Sequence, residues 1–395
     1  MTTQLFTDQS VGTVVRVDDN RPKPESRLRA GIAGFVVTVQ SVLLLAHWFV
    51  YWTWTAFQTT DPVTAMTLKA TLAVLSSTFV AASLLAFRYY NALVRVFYRI
   101  AATWLGFFNF FFLAAGLSWL VLIGARLSGV PIGRPAIVGV LFSCAALAGL
   151  YGLANARLVR VREITVKLPN LPRAWRGRTA ALVSDLHLGH INGPAFSRRI
   201  VAKIDQLRPD IVFITGDLFD GTKVNAEDVV SPLQRLAARY GAYFVIGNHE
   251  EFRDPAKYID ALQGAGIGVL DNQKIVVDGL QIVGVNYRDS TNPELFRSIL
   301  AEADIDQNKA SILLSHAPHA LSVVEAAGVS LQLSGHTHGG QVFPFTWFAR
   351  NMFGEHVYGL SRFGELMVYT SSGAGTWGPP MRVGTSPEIV LIRLE

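Results

Sequence analysis

The sequence predicts multi-pass transmembrane helices followed by an α/β domain. Long apolar runs with few charges fill residues 30–156. From residue 157 onward charges return, and short β-branched runs alternate with amphipathic stretches. Those runs end in Gly, Asp, Asn or His, the punctuation of strands that stop at a site. A length of 395 residues leaves room for both parts.

The helical part rests on Gly31–Trp54, Thr64–Phe87, Ala101–Ala125 and Pro135–Ala156. Each reaches the ~20 residues that cross a bilayer. Buried helices of a soluble protein are the alternative, but such runs in succession leave no polar face for water. Trp48, Tyr51, Trp52 and Trp54 gather where an interfacial aromatic belt belongs, and Lys69 can snorkel to the same interface. Arg16, Arg21, Lys23, Arg27 and Arg29 precede the first span, whereas Thr55–Val63 has no basic residue. Arg88, Arg95 and Arg99 follow the second span, and only Arg126 and Arg134 the third. Arg157, Arg160, Arg162 and Lys167 follow the last, so the positive-inside rule predicts cytoplasmic N- and C-termini. Residues 1–29 are polar and proline-interrupted, which predicts a flexible tail, and no removable signal peptide is expected.

The net charge of +6 follows from these membrane-flanking groups, so no nucleic-acid binding is expected, and nothing indicates an obligatory protein partner. The lone cysteine, Cys144, excludes a disulfide framework within the chain and a cysteine-rich zinc site. Any metal then falls to His, Asp, Asn or Glu.

The second domain is expected over residues 157–395. Thr179–Ser184, Ile211–Thr215, Tyr243–Ile246, Ser311–Ser315 and Ser330–Ser334 read as strands, with helical stretches such as Phe196–Leu207 and Ala226–Tyr240 between several of them. The runs Lys274–Val277, Gln281–Val285, Glu365–Ser371 and Glu388–Leu394 have fewer helices between them and predict a second, partly antiparallel sheet.

The strand ends carry the chemistry. "VSDLHLG" supplies Asp185 and His187, "ITGDLFDG" Asp217 and Asp220, and "VIGNHEE" Asn248 and His249. "LLSHAPH" supplies His316, and "LSGHTHGGQ" His336 and His338. Singly, such an Asp is more often a helix cap and such a His a satisfied hydrogen-bonding group. Together, each after its own strand, they point to one site. In this order they resemble the calcineurin-like metallophosphoesterase superfamily, from about Val161 to the C-terminus. The ending "YTSSGAGTWGPPMR…PEIVLIRL" further resembles the membrane-associated branch that includes the YaeI and YkuE phosphodiesterases.

The resemblance implies a four-layer α-β-β-α sandwich with a dinuclear metal site. It assigns Asp185, His187, Asp217 and His338 to one metal, and a shared Asp217 with Asn248, His316 and His336 to the other. Glycines at 335, 339 and 340 would let the backbone approach without a Cβ clash. Mixed imidazole, carboxylate and amide donors suit two divalent ions of Mn, Fe, Zn or Co in preference to Mg or Ca. Such a pair can share a hydroxide nucleophile and clamp a phosphoryl group. His249, beside Asn248 but outside the ligand set, is the candidate general acid, and Asp220 stands where the family places the carboxylate that orients it. Glu250 reads equally as a support of the ligands or as a helix-start acid. His190, His319 and His356 match no position and receive no role.

One departure bears on the substrate. The protein phosphatase relatives have Asp-Arg-Gly where this chain has Asp220-Gly221, so the arginine that grips a phosphomonoester dianion is absent from that place. A phosphodiester needs less cationic help. The stretch Val342–Phe363 is rich in aromatic residues and is expected either to pack under a long loop or to form an apolar lip that admits lipid tails. The expectation is therefore a membrane-embedded phosphodiesterase acting on a lipid-linked or membrane-proximal diester. Its rivals are a nucleotide or cyclic-nucleotide phosphodiesterase, a phosphomonoesterase, and a non-catalytic metal-supported membrane scaffold. A helix bundle acting as a transporter is disfavoured, because His47 and Lys69 are nearly all the ionisable lining it would have.

Overall fold

A computed structural model describes residues 24–395 apart from Arg253. The tail expected over residues 1–29 therefore lies outside the described residues as far as residue 23, together with Arg16, Arg21 and Lys23. Helix α1 (Pro24–Phe57) already covers the remainder of that stretch, with a proline in its first turn, where the missing N–H costs nothing. Helices α2 (Pro62–Arg88), α3 (Ala92–Leu127) and α4 (Arg134–Ala156) follow. All four are long and apolar enough to cross a membrane.

Local chemistry explains where these helices begin. Asp61 caps α2, accepting from Val63 N at 3.1 Å and Thr64 N at 3.0 Å, with Pro62 at the first helical position. Asn91 caps α3 through Val94 N at 3.0 Å. That cap starts α3 ahead of the apolar run expected from Ala101, so Arg95 and Arg99 lie on its first turns rather than in a connection. Phe35, Leu45, Leu93, Leu120 and Leu147 remain exposed on the bundle, as a lipid-facing surface requires. At one end, Arg134 Nη1 donates to the Ala56 carbonyl and Gln58 Nε2 to the Pro135 carbonyl, each at 3.3 Å. The α1–α2 and α3–α4 connections therefore meet there.

The rest alternates β1 (Arg160–Val166), β2 (Thr179–Val183), α5 (Pro194–Leu207), β3 (Ile211–Ile214), α6 (Ala226–Val230), β4 (Ala242–Phe244), α7 (Ala256–Gly264) and β5 (Ile267–Val269). Then come β6 (Gln273–Val277), β7 (Leu280–Val285), α8 (Tyr287–Ser290), α9 (Pro293–Glu302), β8 (Ser311–Ser315), α10 (Leu321–Ala326) and β9 (Leu331–Ser334). The chain finishes with α11 (Phe345–Phe353), β10 (Gly359–Phe363), β11 (Leu366–Thr370) and β12 (Glu388–Leu394). Two six-stranded sheets result, ordered β1-β12-β2-β3-β4-β5 and β10-β11-β9-β8-β7-β6.

Strand alternation builds four layers. Ala181 and Val183 face α5, α6 and α7, whereas Ala180 and Leu182 turn inward to meet Ile312, Leu314 and Leu333 of the other sheet. Val283, Val285 and Leu313 then pack outward on α9 and α10 through Phe296, Leu300 and Val324. This is the expected α-β-β-α sandwich. The second sheet is partly antiparallel, through the β6–β7 and β10–β11 pairs. One strand differs from expectation: Glu388–Leu394 joins the first sheet, parallel to β1 and antiparallel to β2. Ile389 on one face and Val390 and Ile392 on the other are all buried, so it suits the middle of a sheet rather than an edge.

The helices and the sandwich share cores. Met381 and Val342 pack with Phe110, Ala114 and Ala145 of α3 and α4. Gly152 lets Met381 and Val383 come close to α4, and its carbonyl accepts from Arg382 N at 3.0 Å. Asn155 Nδ2 donates to the carbonyls of Arg382 at 3.0 Å and Thr385 at 2.8 Å. At the α2–α3 turn, Lys223 N donates to Ala86 O, and Arg99 donates to the carbonyls of His190 and Ile191. The sandwich therefore sits at the end of the bundle that holds this turn.

Candidate metal centre

The carboxyl ends of β2, β3 and β4 in one sheet and of β8 and β9 in the other point to the same edge of the sandwich. Asp185, His187, Asp217, His336 and His338 have φ between 46° and 70°, a region that non-glycine residues avoid. Each such residue costs on the order of 1 kcal/mol or more and persists where the surroundings hold it. The strain turns successive side chains off the strand ends and into one space. Gly335 allows the closest approach, because a Cβ there would run into Ser184 Oγ and Asp185 Oδ2. Gly335→Ala should therefore lower stability by about 1–3 kcal/mol, the usual cost of overpacking. Thermal unfolding together with metal analysis should show both the midpoint and the metal content falling.

Asp217 Oδ2 lies at the middle, 3.2 Å from His316 Nε2 and 3.9 Å from both His187 Nε2 and His249 Nε2. On one side His187 Nε2 and His338 Nε2 stand 2.9 Å apart, and His338 Nε2 is 3.5 Å from Asp185 Oδ1. On the other, Asn248 Oδ1 lies 2.9 Å from His336 Nδ1 and 3.1 Å from His316 Nε2. The two imidazoles of the β9 loop thus go to opposite sides of the cluster. Side chains named from the strand ends converge here, with Asp220 the exception.

The donor set fits cations. His187 Nε2 faces His338 Nε2, and His336 Nδ1 faces His316 Nε2 at 3.2 Å, with His187, His316 and His338 buried and His336 partly so. A single proton can bridge either pair, but four imidazole nitrogens meeting buried carboxylates and an amide oxygen in one space form the mixed donor set that a divalent cation takes. His187 Nδ1 is buried without a hydrogen-bond partner. His316 Nδ1–H donates to the Thr215 carbonyl at 2.7 Å, which fixes its ring and leaves Nε2 toward the cluster, the usual support of a metal-ligating histidine.

The electrostatics agree. Burial, followed by the charge of His249 on one and of Arg382 on the other, holds His187 and His338 well below the ordinary histidine range. Burial and then His316 pull His336 down to about 3. These are neutral imidazoles, the form that binds metal. Burial would lower His316 too, but the Asp217 charge and hydrogen bond overcome it and raise His316 to about 10. A positive charge beside Asp217 is therefore favoured, and a metal ion supplies more of it than a proton does. Burial pushes Asp185 up to about 6, with His316 opposing.

Two expectations about neighbouring residues change. The Asp220 carboxylate does not orient His249: it accepts from Thr222 N, Thr222 Oγ1 and His190 N. The Asp220 backbone carbonyl takes that part, 2.9 Å from His249 Nδ1, because the adjacent turn directs the side chain toward nearer donors. Glu250 is a buried brace, accepting from the backbone N–H groups of Asp217, Phe219 and Gly247 at 3.1, 3.0 and 2.7 Å. Burial first, then the charge of Asp217, pushes it up to about 8.

Sequence reading missed Arg382. It is fully buried, donates to the carbonyls of His338 at 2.9 Å and Gly375 at 2.6 Å, and joins the loop after β9 to α4. A lone arginine in the small-residue run after β11 was its only signal. His190, also fully buried, lies 3.2 Å from the Tyr89 carbonyl and 3.0 Å from Thr222 Oγ1, so it joins the helices to the sandwich. His319 stacks on Phe353, and His356 pairs with Ser361 Oγ at 2.8 Å.

Residues 345–353 of the aromatic stretch after His338 form α11, while Val342 and Phe363 pack into cores. Phe343, Phe345, Trp347 and Phe348 are each more than half exposed, and Asn109 Nδ2 of α3 donates to the Phe343 carbonyl at 2.9 Å. An amphipathic aromatic helix beside apolar spans has the character of an interfacial element.

Residues 179–340 match the calcineurin-like phosphoesterase family. An uncharacterized metallophosphoesterase of Campylobacter jejuni is 34% identical over 239 residues, 60% of this chain and 63% of that protein. A transmembrane protein with metallophosphoesterase domain from Danio rerio is 33% identical over 269 residues, 63% of this chain and 61% of that protein. The uncharacterized metallophosphoesterase YkuE of Bacillus subtilis is 27% identical, covering 62% of this chain and 90% of YkuE. The match to the Campylobacter and Danio proteins thus spans a little over three fifths of their length.

Proposed function

We propose that this chain, whose residues 179–340 belong to a calcineurin-like phosphoesterase domain, is a membrane-embedded, metal-dependent phosphodiesterase acting on a lipid-linked or membrane-proximal substrate. The convergence of histidine nitrogens and an Asn oxygen around Asp217 carries this reading. Asp185, His187 and His338 would hold one divalent ion, and Asn248, His316 and His336 a second, with Asp217 between them. Bound there, the ions would supply a water-derived nucleophile at neutral pH and neutralise charge on the phosphoryl group.

The protein's own groups do the rest. His249 Nδ1–H donates to the Asp220 carbonyl, which holds the ring and leaves Nε2 to pass a proton to the departing alkoxide. The His249 backbone N–H donates to Asp217 Oδ1 at 2.9 Å, so acid and ligand shell move as one unit. Trp377 and Phe252 flank the His249 ring and limit water around it. A diester is favoured over a monoester dianion because position 221 is glycine, and Arg382, buried against the cluster, directs its terminal nitrogens at carbonyls and His338.

The bundle fits a multi-pass anchor with both termini in the cytoplasm. The α1–α2 and α3–α4 connections share one end, whereas the α2–α3 turn and the sandwich share the other, with Arg95, Arg99, Arg157 and Arg160. A turnover screen of the detergent-solubilised chain tests the activity, comparing lipid diesters, nucleotide diesters and monoesters with Mn, Fe, Zn and Mg. Hydrolysis of diesters well ahead of monoesters is expected, and faster monoester turnover would reverse the assignment. Replacing Trp347 and Phe348 together with serine should cost lipid diesters about tenfold more in kcat/KM than bis(p-nitrophenyl) phosphate. Equal losses on both would remove the interfacial role of α11.

A further inference from the structure

A cavity of about 570 Å³ runs between the helix bundle and the metal cluster. Val42, Leu43 and Ala46 of α1 and Leu105, Phe108 and Phe112 of α3 form its apolar walls. His336 and His338, which belong to opposite sides of the cluster, also line it, as does Trp377, whose ring meets His249. We propose that this cavity binds one hydrocarbon chain of a lipid phosphodiester while the phosphoryl group lies at the cluster. The inference rests on the phosphodiesterase reading above and adds to it the place where the lipid tail is held.

Three observations commit the cavity to that occupant. Its α1 and α3 walls belong to two helices long and apolar enough to cross a membrane, whose surrounding solvent would there be hydrocarbon. Its volume falls within the roughly 300–1,000 Å³ of small-molecule sites, and its mainly apolar lining offers few partners to the polar backbone of a protein segment. His336 and His338 of the cluster line it directly, so an occupant that fills it can place its polar end at the reacting groups. The walls are also held in place. Phe108 stacks on His47 with centroids 3.6 Å apart, Trp104 Nε1 donates to His47 Nε2 at 3.0 Å, and Asn109 pins the Phe343 carbonyl. A substrate with only polar substituents gains nothing from such walls, whereas each buried methylene is worth roughly fourfold in binding.

The test is a series of alkyl p-nitrophenyl phosphodiesters with methyl, butyl, octyl and dodecyl groups, hydrolysed by the full chain in a fixed detergent with Mn²⁺. The dodecyl-to-methyl ratio of kcat/KM should be at least about tenfold after micelle competition. In Ala46→Phe, which fills the cavity from α1, that ratio should fall to near one. Leu105→Phe fills it from α3 and should act in the same direction, so a folding defect in one variant does not decide the outcome. A flat series in the parent, or an undiminished ratio in both variants, overturns the tail site but leaves the phosphodiesterase reading intact, because the methyl diester is still cleaved. Failure to cleave any member overturns both.

Discussion

Asp217→Ala should abolish turnover, by about four orders of magnitude or more, and should empty both metal positions. Asp217 Oδ2 faces His316, His187 and His249, and Oδ1 accepts the His249 backbone N–H. Removing the carboxylate takes away the one anion that both sides of the cluster share, and leaves the raised His316 without the charge that raises it. Metal analysis of the purified variant checks this, with thermal unfolding as the control for folding. If Asp217→Ala kept two ions per chain, the shared position would belong to another residue.

His249→Ala should behave differently. Its Nε2 is as close to Asp217 Oδ2 as that of His187, so geometry alone permits either a ligand or an acid. The acid role makes distinct demands. The variant should keep both ions, lose about 10²–10⁴ in kcat on a diester with an alkyl leaving group, and lose far less with p-nitrophenolate, which leaves without a proton. Equal losses on both leaving groups, with metal content halved, would make His249 a ligand.

Much of the architecture was legible because strand alternation, apolar run length and strand-end residues are local signals. Ala180–Val183 is apolar throughout, as a strand buried on both faces should be, and its two faces enter different layers. The sheet joined by Glu388–Leu394 was not legible, since that depends on which partners lie beside it and not on its own pattern. The start of α3 was hidden because a polar cap and arginines precede the apolar run. At the site, the residue types and their order named the groups that converge. Their supports were harder to see, because Glu250 and Arg382 act through backbone groups distant in sequence. Asp220 shows the same limit: its position is as expected, but the turn sends its carboxylate to Thr222 and presents its carbonyl to His249. The cavity against α1 and α3 had no sequence signal, because it arises only where the helices meet the loop after His338.

The most direct measurement is the stoichiometry and placement of bound metal, by elemental analysis and anomalous diffraction on protein reconstituted with Mn²⁺. The account predicts two ions per chain, Asp185, His187 and His338 against one, Asn248, His316 and His336 against the other, and Asp217 touching both. A single ion, or ions seated away from these side chains, would contradict it.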